Sequence, residues 1–326
     1  MSLSKHTPFT FLDHALKQGD SLVGSCEALA KELRDEISCA QGSLDLVHHA
    51  ENNSALAIER STFRVDSRSD KDDEAKRASF EYQEKKIYGR KAVASAIVAA
   101  KLAKLTGQEL AESIVDLVFS AQQINPGNKS ETLTGTIDRI NALVGSLTPF
   151  HWQLEFSEVF ANKNKGFDAI VGNPPYLGGS KISRLIGKDF FAWIKNIHGG
   201  HGKSDLSAFF LRACSKLVKK EGTISFITTN SIYKAENRET SLLWLIENGW
   251  IIYSARKRYR WPGDAAVVCT IISIFNANHS KSQIKRFLDG VERERVSAYL
   301  LPFGPDLTPK PIARNLALAA SGVNPN

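Results

Sequence analysis

Cysteine and methionine are scarce, and long apolar runs are missing. The chain has 326 residues, with four cysteines and one methionine. Cys26, Cys39, Cys214 and Cys269 stand far apart with no CxxC pair. That spacing excludes a disulfide scaffold or a zinc finger, and it fits a reducing cytoplasm. The longest apolar stretch, Ala92 to Leu105, is broken by Lys101 and Lys104 and is too short to span a bilayer. The segment Met1–His6 has no apolar signal core. The eight histidines show no HExxH or comparable spacing, so none is assigned as a metal ligand. The expectation is a soluble, cytoplasmic protein with no membrane partner.

What is present is a globular composition with unevenly placed charge. Apolar residues make up 42% and charged residues 24%, close to the average for packed domains. Residues 1–160 carry 18 basic and 23 acidic side chains, whereas residues 161–300 carry 22 and 11. A concentrated basic excess suits a polyanion such as nucleic acid, although a solvated surface gives the same total.

Texture divides the chain. Residues 27–147 alternate charge and aliphatics with a single proline, Pro126, and the segments Cys26–Ile37 and Lys91–Gln122 show helical spacing. Between them, Asp66–Lys76 reads as a solvated loop or helix end. Glu84-Lys85-Lys86, with Asp72 and Asp73 upstream, has a nuclease-like composition, but it reads as a solvated helix face. Beyond residue 160 the rhythm changes. Phe167–Val171 is a buried strand stopped by Gly-Asn-Pro-Pro, and Asp205–Lys220 is a helix ending in cations and Gly222. Thr223–Thr228 is a strand, Arg238–Glu247 a helix, and Trp250–Tyr253 and Ala265–Phe275 are strands. Alternation at these spacings predicts an α/β fold: half of a doubly wound parallel sheet. The last two strands are too close for a crossover helix, so they form an antiparallel closing pair.

The residues that carry chemistry are Asn173-Pro174-Pro175-Tyr176, directly after the strand Phe167–Val171. Ligands of open α/β sheets bind beyond the carboxyl ends of strands. An exocyclic amine is a poor nucleophile because its lone pair is delocalised. The Asn173 side-chain oxygen and the Pro174 carbonyl supply two acceptors for its N–H groups, which frees that lone pair. Consecutive prolines hold the acceptors in place. Tyr176 offers a flat face for a planar substrate. The plain alternative is a rigid turn after a strand.

Asn173–Tyr176 resembles the catalytic motif of S-adenosylmethionine-dependent amino-methyltransferases, chiefly the N6-adenine DNA methyltransferases. The wider set is Gly19–Gly24, Pro149–Phe160, Gly166–Gly179, Lys203–Leu206, Gly222–Asn230 and Trp261–Ala265. In that order it is similar to the methylase part of type IIG restriction–modification enzymes. The resemblance implies a partial class I methyltransferase sheet with a helical insertion. Its implied parts are a cofactor-binding remnant (1–26), a helical insertion (27–147), a catalytic half (148–300) and a tail (301–326). It implies S-adenosylmethionine as cofactor, double-stranded DNA as partner and adenine N6 as acceptor. Asp20 falls where the family's acidic residue takes the cofactor's adenine amino group, with an ordinary Gly-Asp turn as the alternative. Asn173, Pro174 and Pro175 belong to the catalytic motif, and Tyr176 and Trp261 would stack on a flipped base. For Trp261 the alternative is a hydrophobic plug at a hairpin end. Arg256, Lys257, Arg258 and Arg260 read either as a solvated strand edge or as phosphate contacts.

Other readings stay open: methylation of RNA guanine or of a protein glutamine amide, or a non-catalytic DNA-binding remnant. The family places a glycine-rich cofactor loop ahead of the Gly-Asp segment, and the 18 residues before Gly19 hold none. The chain therefore reads either as an internal fragment or as one half of a split enzyme, the latter with a separately encoded N-terminal half or nuclease part as partner. Accordingly, the isolated chain should bind S-adenosylmethionine weakly and methylate DNA slowly or not at all. Titration calorimetry should find no micromolar cofactor binding by this chain alone.

Overall fold

A computed structural model gives the fold and describes residues 14–24, 29, 53–64, 69–105, 131–161, 164–262, 267–277 and 283–307. Helices α1 (Asn53–Ser61), α2 (Asp70–Leu105) and α3 (Glu131–Val144) come first, then the single turns α4 (Trp152–Glu155) and α5 (Ser157–Phe160). Strand β1 (Phe167–Gly172) leads to α6 (Gly179–Leu185), α7 (Lys188–Ile197), α8 (Leu206–Ser215) and β2 (Val218–Thr228). Next come α9 (Ala235–Arg238), a π turn (Glu239–Leu243) and α10 (Trp244–Glu247). Strands β3 (Trp250–Arg260), β4 (Val268–Asn276), β5 (Arg286–Leu288) and β6 (Val291–Arg293) complete the sheet.

The sheet runs β1-β2-β4-β3-β5-β6. β1 and β2 are parallel, and β4 is antiparallel to both β2 and β3. β1, β2 and β3 therefore point the same way, and their carboxyl ends share one rim. The fold is mixed α/β, with parallel crossovers and an antiparallel β3–β4 pair as the pattern predicts. The antiparallel strand does not close the sheet at its edge, however; it lies between β2 and β3. The β5–β6 hairpin beside β3 was not foreseen, because three-residue strands carry too little periodicity to be read.

Two cores flank α8. On one side Phe209 and Leu206 pack with Trp193 and Ile194 of α7, the α2 stripe Val98–Leu102, and Leu22 and Val23. On the other side Ala208 and Leu211 meet Ile224 and Phe226 of β2, Ile272 and Ile274 of β4, and Ile252 of β3. Burial of α8 on two faces at helical spacing fixes its place behind the sheet.

Several local readings need correction. The helix expected over Asp205–Lys220 ends at Ser215, and Val218 already pairs with Phe167. Residues 219–222 loop out before Ala169 meets Thr223, and Glu221 takes φ +58°. Gly166 enters β1 at φ +119°, where a Cβ would lie 2.6 Å from the Lys219 nitrogen, so only glycine fits. The basic run Arg256–Arg260 has a strand on one side only, β4, because β5 pairs with β3 at Ser254 and Ala255 and stops short of it. Of the two readings of Asp66–Lys76, the helix end holds from Asp70 onward, where the segment forms the first turns of α2. Cys26–Ile37 lies outside the described residues apart from buried Leu29.

Glu84 is also no solvated face. Its carboxylate pairs with Lys17 at 3.0 Å, Arg60 at 2.9 Å and Lys91 at 2.8 Å. Lys91 also reaches Glu155 at 2.8 Å, and buried Arg60 donates to the Leu154 carbonyl at 3.0 Å. Burial alone would raise the Glu84 carboxyl, but its bonds and charges from Lys91 and Lys17 hold it below the ordinary value. This cluster ties α1 and α2 to the turns that lead into β1.

Two histidines are kept neutral inside the fold. Burial, then the nearby Lys91 charge, pushes His151 from 6.5 to about 3; its Nε2 lies 3.0 Å from Ser95 Oγ. Burial lowers His198 from 6.5 to about 4, outweighing the bond its Nε2 donates to the Leu22 carbonyl. Both folded values lie below the unfolded one, so the unfolded chain takes up protons first. Stability should be full above pH 6.5 and fall by about 2 kcal/mol per histidine as pH drops to 5. Urea midpoints at pH 7 and pH 5 should show that loss. His198→Gln, which keeps a donor for Leu22, should remove its share.

Candidate active site

The loop Asn173–Tyr176 leaves β1 at the carboxyl rim. Pro174 is buried, while Asn173, Pro175 and Tyr176 are exposed, the tyrosine by 44%. The Tyr176 hydroxyl donates to Asn173 Oδ1 and lies 3.1 Å from the Ile227 carbonyl at the end of β2. Burial, and next the proximity of Cys269, raise this hydroxyl above its ordinary value, so it stays a neutral donor. The loop after β1 is thereby hooked to β2, with the carboxamide oxygen held at the rim.

Below the rim lies a buried polar hub that sequence reading passed over. Asp205, 7% exposed, caps α8 by accepting from the Ala208 amide at 3.3 Å. Its carboxylate also accepts from Ser207 at 2.5 Å, Ser231 at 2.7 Å and Asn237 at 2.8 Å. The Asp205 amide returns a bond to Asn237 Oδ1 at 2.7 Å, and Thr228 at the tip of β2 donates to Ser207 at 3.2 Å. Next to it Leu206 donates to the Leu177 carbonyl at 2.9 Å, just past Tyr176. One carboxylate therefore locks α8, the end of β2 and the segment leading into α9. A Ser-Asp pair ahead of a periodic helix is an N-cap signal, and it was the available clue.

The other expected residues lie at varying reach of this loop. Trp261 follows β3 at the same rim, is 44% exposed, and bonds through its backbone amide to Val267 at 3.0 Å. Val267 and Val268 are exposed beside it, and Gly263 and Asp264 fall outside the described residues. Cys269, buried on β4, lies close enough to influence Tyr176, so the β3–β4 turn and the Asn173 loop share one neighbourhood. Asp20 stands elsewhere: its Oδ2 accepts from the Thr148 amide at 2.7 Å and from the Thr148 hydroxyl at 3.2 Å. No hydrogen bond among the described residues joins it to the Asn173 loop. It binds residues 19–24 to Thr148–Phe150, and the next carbonyls reach the core between α8 and α7: Leu22 accepts from Trp193 Nε1 at 2.9 Å.

The basic run is split by a bulge. Arg256 pairs with Ile271 and Arg260 with Val268 in the β3–β4 ladder, but Lys257 and Arg258 fall in the register break between Arg256 and Tyr259. Among the described residues, no ion pair engages the four side chains, and Arg256 leans toward the Tyr259 ring at 5.9 Å. No group of three or more His, Cys, Asp or Glu among them could hold a metal.

Comparison with known proteins bears on the family. The DNA methyltransferase A of Bacillus subtilis is 26% identical over 155 residues, which is 45% of this chain and 17% of that protein. A Methanocaldococcus jannaschii protein named as a type II restriction enzyme and methyltransferase is 32% identical over 109 residues, 33% of this chain and 8% of its own length. The chain thus spans less than a fifth of either relative. Among solved structures, the type IIL restriction–modification enzyme MmeI in complex with DNA matches 54% of this chain and 26% of its own at 20% identity and TM-score 0.37. A class I S-adenosylmethionine-dependent methyltransferase of Listeria monocytogenes matches 82% and 88% at 11% identity and TM-score 0.30. The family model for the Eco57I restriction–modification methylase matches residues 85–253, from the middle of α2 through the first turns of β3, and the chain belongs to that family.

Proposed function

We propose that this chain carries the amine-activating part of a DNA methyltransferase that moves a methyl group from S-adenosylmethionine to adenine N6. One observation carries the reading: a carboxamide oxygen, Asn173 Oδ1, held at the strand rim beside an exposed aromatic face on the same short loop. A rigid Pro-Pro backbone fixes the acceptors before any substrate arrives, so no reorganisation accompanies the transfer. Asn173 and the Pro174 carbonyl would accept the two N–H bonds of the target amine and aim its lone pair outward. Tyr176 would stack on the base, which must leave the duplex because its amino group is paired inside. Trp261, on the far side of the β2–β4 pair, would pack the opposite face of the ring. Asp20 keeps one carboxylate oxygen beyond the one that holds Thr148, and that oxygen fits an adenine amino group of the cofactor. S-adenosylmethionine, when bound, supplies an electrophilic methyl on a sulfonium.

The tyrosine has a second role in this reading. Its hydroxyl occupies Asn173 Oδ1 in the structure, so the incoming amine must displace it. Releasing that bond leaves the hydroxyl able to turn fully to the Ile227 carbonyl, 3.1 Å away. The displaced donor therefore keeps a partner, and the exchange costs little.

Methyl transfer to duplex DNA by the chain complemented with its separately encoded half, with the product nucleoside identified by mass spectrometry, tests the proposal. Asn173→Ala should cut the rate by about 10²–10³-fold while DNA affinity stays within a few-fold. A product other than N6-methyladenine, or an unchanged rate, overturns it. Tyr176→Phe should lower the rate by a few-fold, because the hook to the Ile227 carbonyl is lost while the ring and the Asn173 carboxamide remain. Tyr176→Ala should lose the stacking face and weaken binding of an oligonucleotide with an unpaired target by roughly 1–3 kcal/mol.

A further inference from the structure

A second cleft, of about 720 Å³, opens where β2 leads into α9. Lys234, Ala235, Lys257, Arg258, Asp289 and Tyr299 are among its lining residues. It draws on four separate chain segments that meet at the carboxyl end of the sheet, the last of them carrying Tyr299. Lys257 and Arg258 come from the β3 bulge, Lys234 from the turn after β2, and Asp289 from the β5–β6 turn. Three cations face one carboxylate, and that carboxylate is spent on the backbone: Asp289 Oδ1 accepts from the Lys257 amide at 2.7 Å. No ion pair among the described residues neutralises Lys234, Lys257 or Arg258.

The backbone around this cleft is strained in a way the rest of the chain is not. Ala235 takes φ +39°, Arg258 +51° and Asp289 +52°, and Leu300 next to Tyr299 takes +52°. Among the described residues, four of the five non-glycine positions with positive φ are therefore at or beside this cleft. Left-handed backbone is unfavourable for residues with a Cβ; at Asp289 it belongs to the Asp289-Gly290 hairpin turn, whereas at Ala235 and Arg258 it falls in the lining of the cleft itself. A bulge is a recognised means of re-aiming side chains near a site. Here it takes Lys257 and Arg258 out of the strand's alternation and turns them toward Lys234, while Arg256 and Arg260 remain in the ladder.

We propose that this cleft is a phosphate-binding site for the DNA backbone, built by Lys234, Lys257 and Arg258 and distinct from the Asn173 loop. It would hold a phosphodiester of the strand that presents the target base and so fix the strand's register at the rim. Arg256 and Arg260 then contribute only general positive potential. This inference rests on the DNA reading above, but binding rather than catalysis tests it.

The experiment is the salt dependence of binding to a 30-base-pair DNA duplex, followed by fluorescence anisotropy. Lys234→Gln and Lys257→Gln should each flatten the slope of log K against log salt by about one. Arg258→Gly should do the same without lowering the unfolding temperature, because glycine adopts φ +51° freely. Lys220→Gln, at the opposite end of β2, should leave the slope unchanged. Slopes equal to the parent's in the three cleft variants overturn the proposal, and so does equal flattening by Lys220→Gln. Failure of the adenine reading looks different: no N6-methyladenine forms, yet binding still responds to the cleft variants.

Discussion

The carboxylate of Asp205 is the constraint on which the rest of the site depends. A nearly buried charge is tolerated only when hydrogen bonds replace its lost hydration. Asp205 has donors from Ser207, Ala208, Ser231 and Asn237, and these reach it from α8 and from both sides of the turn after β2. Removing the carboxylate would strand those donors as well as free the helix end. Because α8 also separates the two cores, this one residue joins the packing of the fold to the height of the rim. The Asn173 loop is then positioned from two sides, by Tyr176 on the Ile227 carbonyl and by Leu206 on the Leu177 carbonyl.

A second cluster performs the same task at the entry to the sheet. Glu84, Glu155, Lys17, Lys91 and Arg60 join the helical segment to the turns before β1. These charges lie between core and solvent, where several partners per ion offset the cost of desolvation. Helices far from the rim thus bear on where β1 begins, and Asp20 adds a third tie through Thr148.

Much of this was legible in the residues, for reasons that also explain what was not. The strand Phe167–Val171 and its Asn-Pro-Pro stop are local signals, and so is the apolar run that became β4; the expected burial of the first strand fails, since β1 ends the sheet and Val171 is exposed. The parallel order of β1 and β2 follows from the helices between them. By contrast, Lys219–Gly222 has the composition of a helix C-terminus, yet it became a loop-out because Val218 was captured by Phe167 across 51 residues. Pairing partners so distant leave no mark in a local window. The Arg256–Arg260 run was read as one stretch for the same reason: a bulge is set by a neighbour's register, not by composition. Glu84 shows the limit of charge patterning, since its partners Lys17 and Arg60 lie far away in sequence. Asp205 was within reach, had the pair before α8 been read as a cap.

The placement of β4 also sets a gauge. Tyr176 rises from the end of β1 and Trp261 from the end of β3, and two strands stand between those ends. Their roots are therefore three ladder spacings apart, about 14 Å, a distance set by backbone hydrogen bonding. In the proposed reading these rings sandwich one planar heterocycle and stand about 7 Å apart, so each must lean inward by several ångströms. The span between these jaws is thus invariant to side-chain changes in the sheet, and only the two loops adjust the bite.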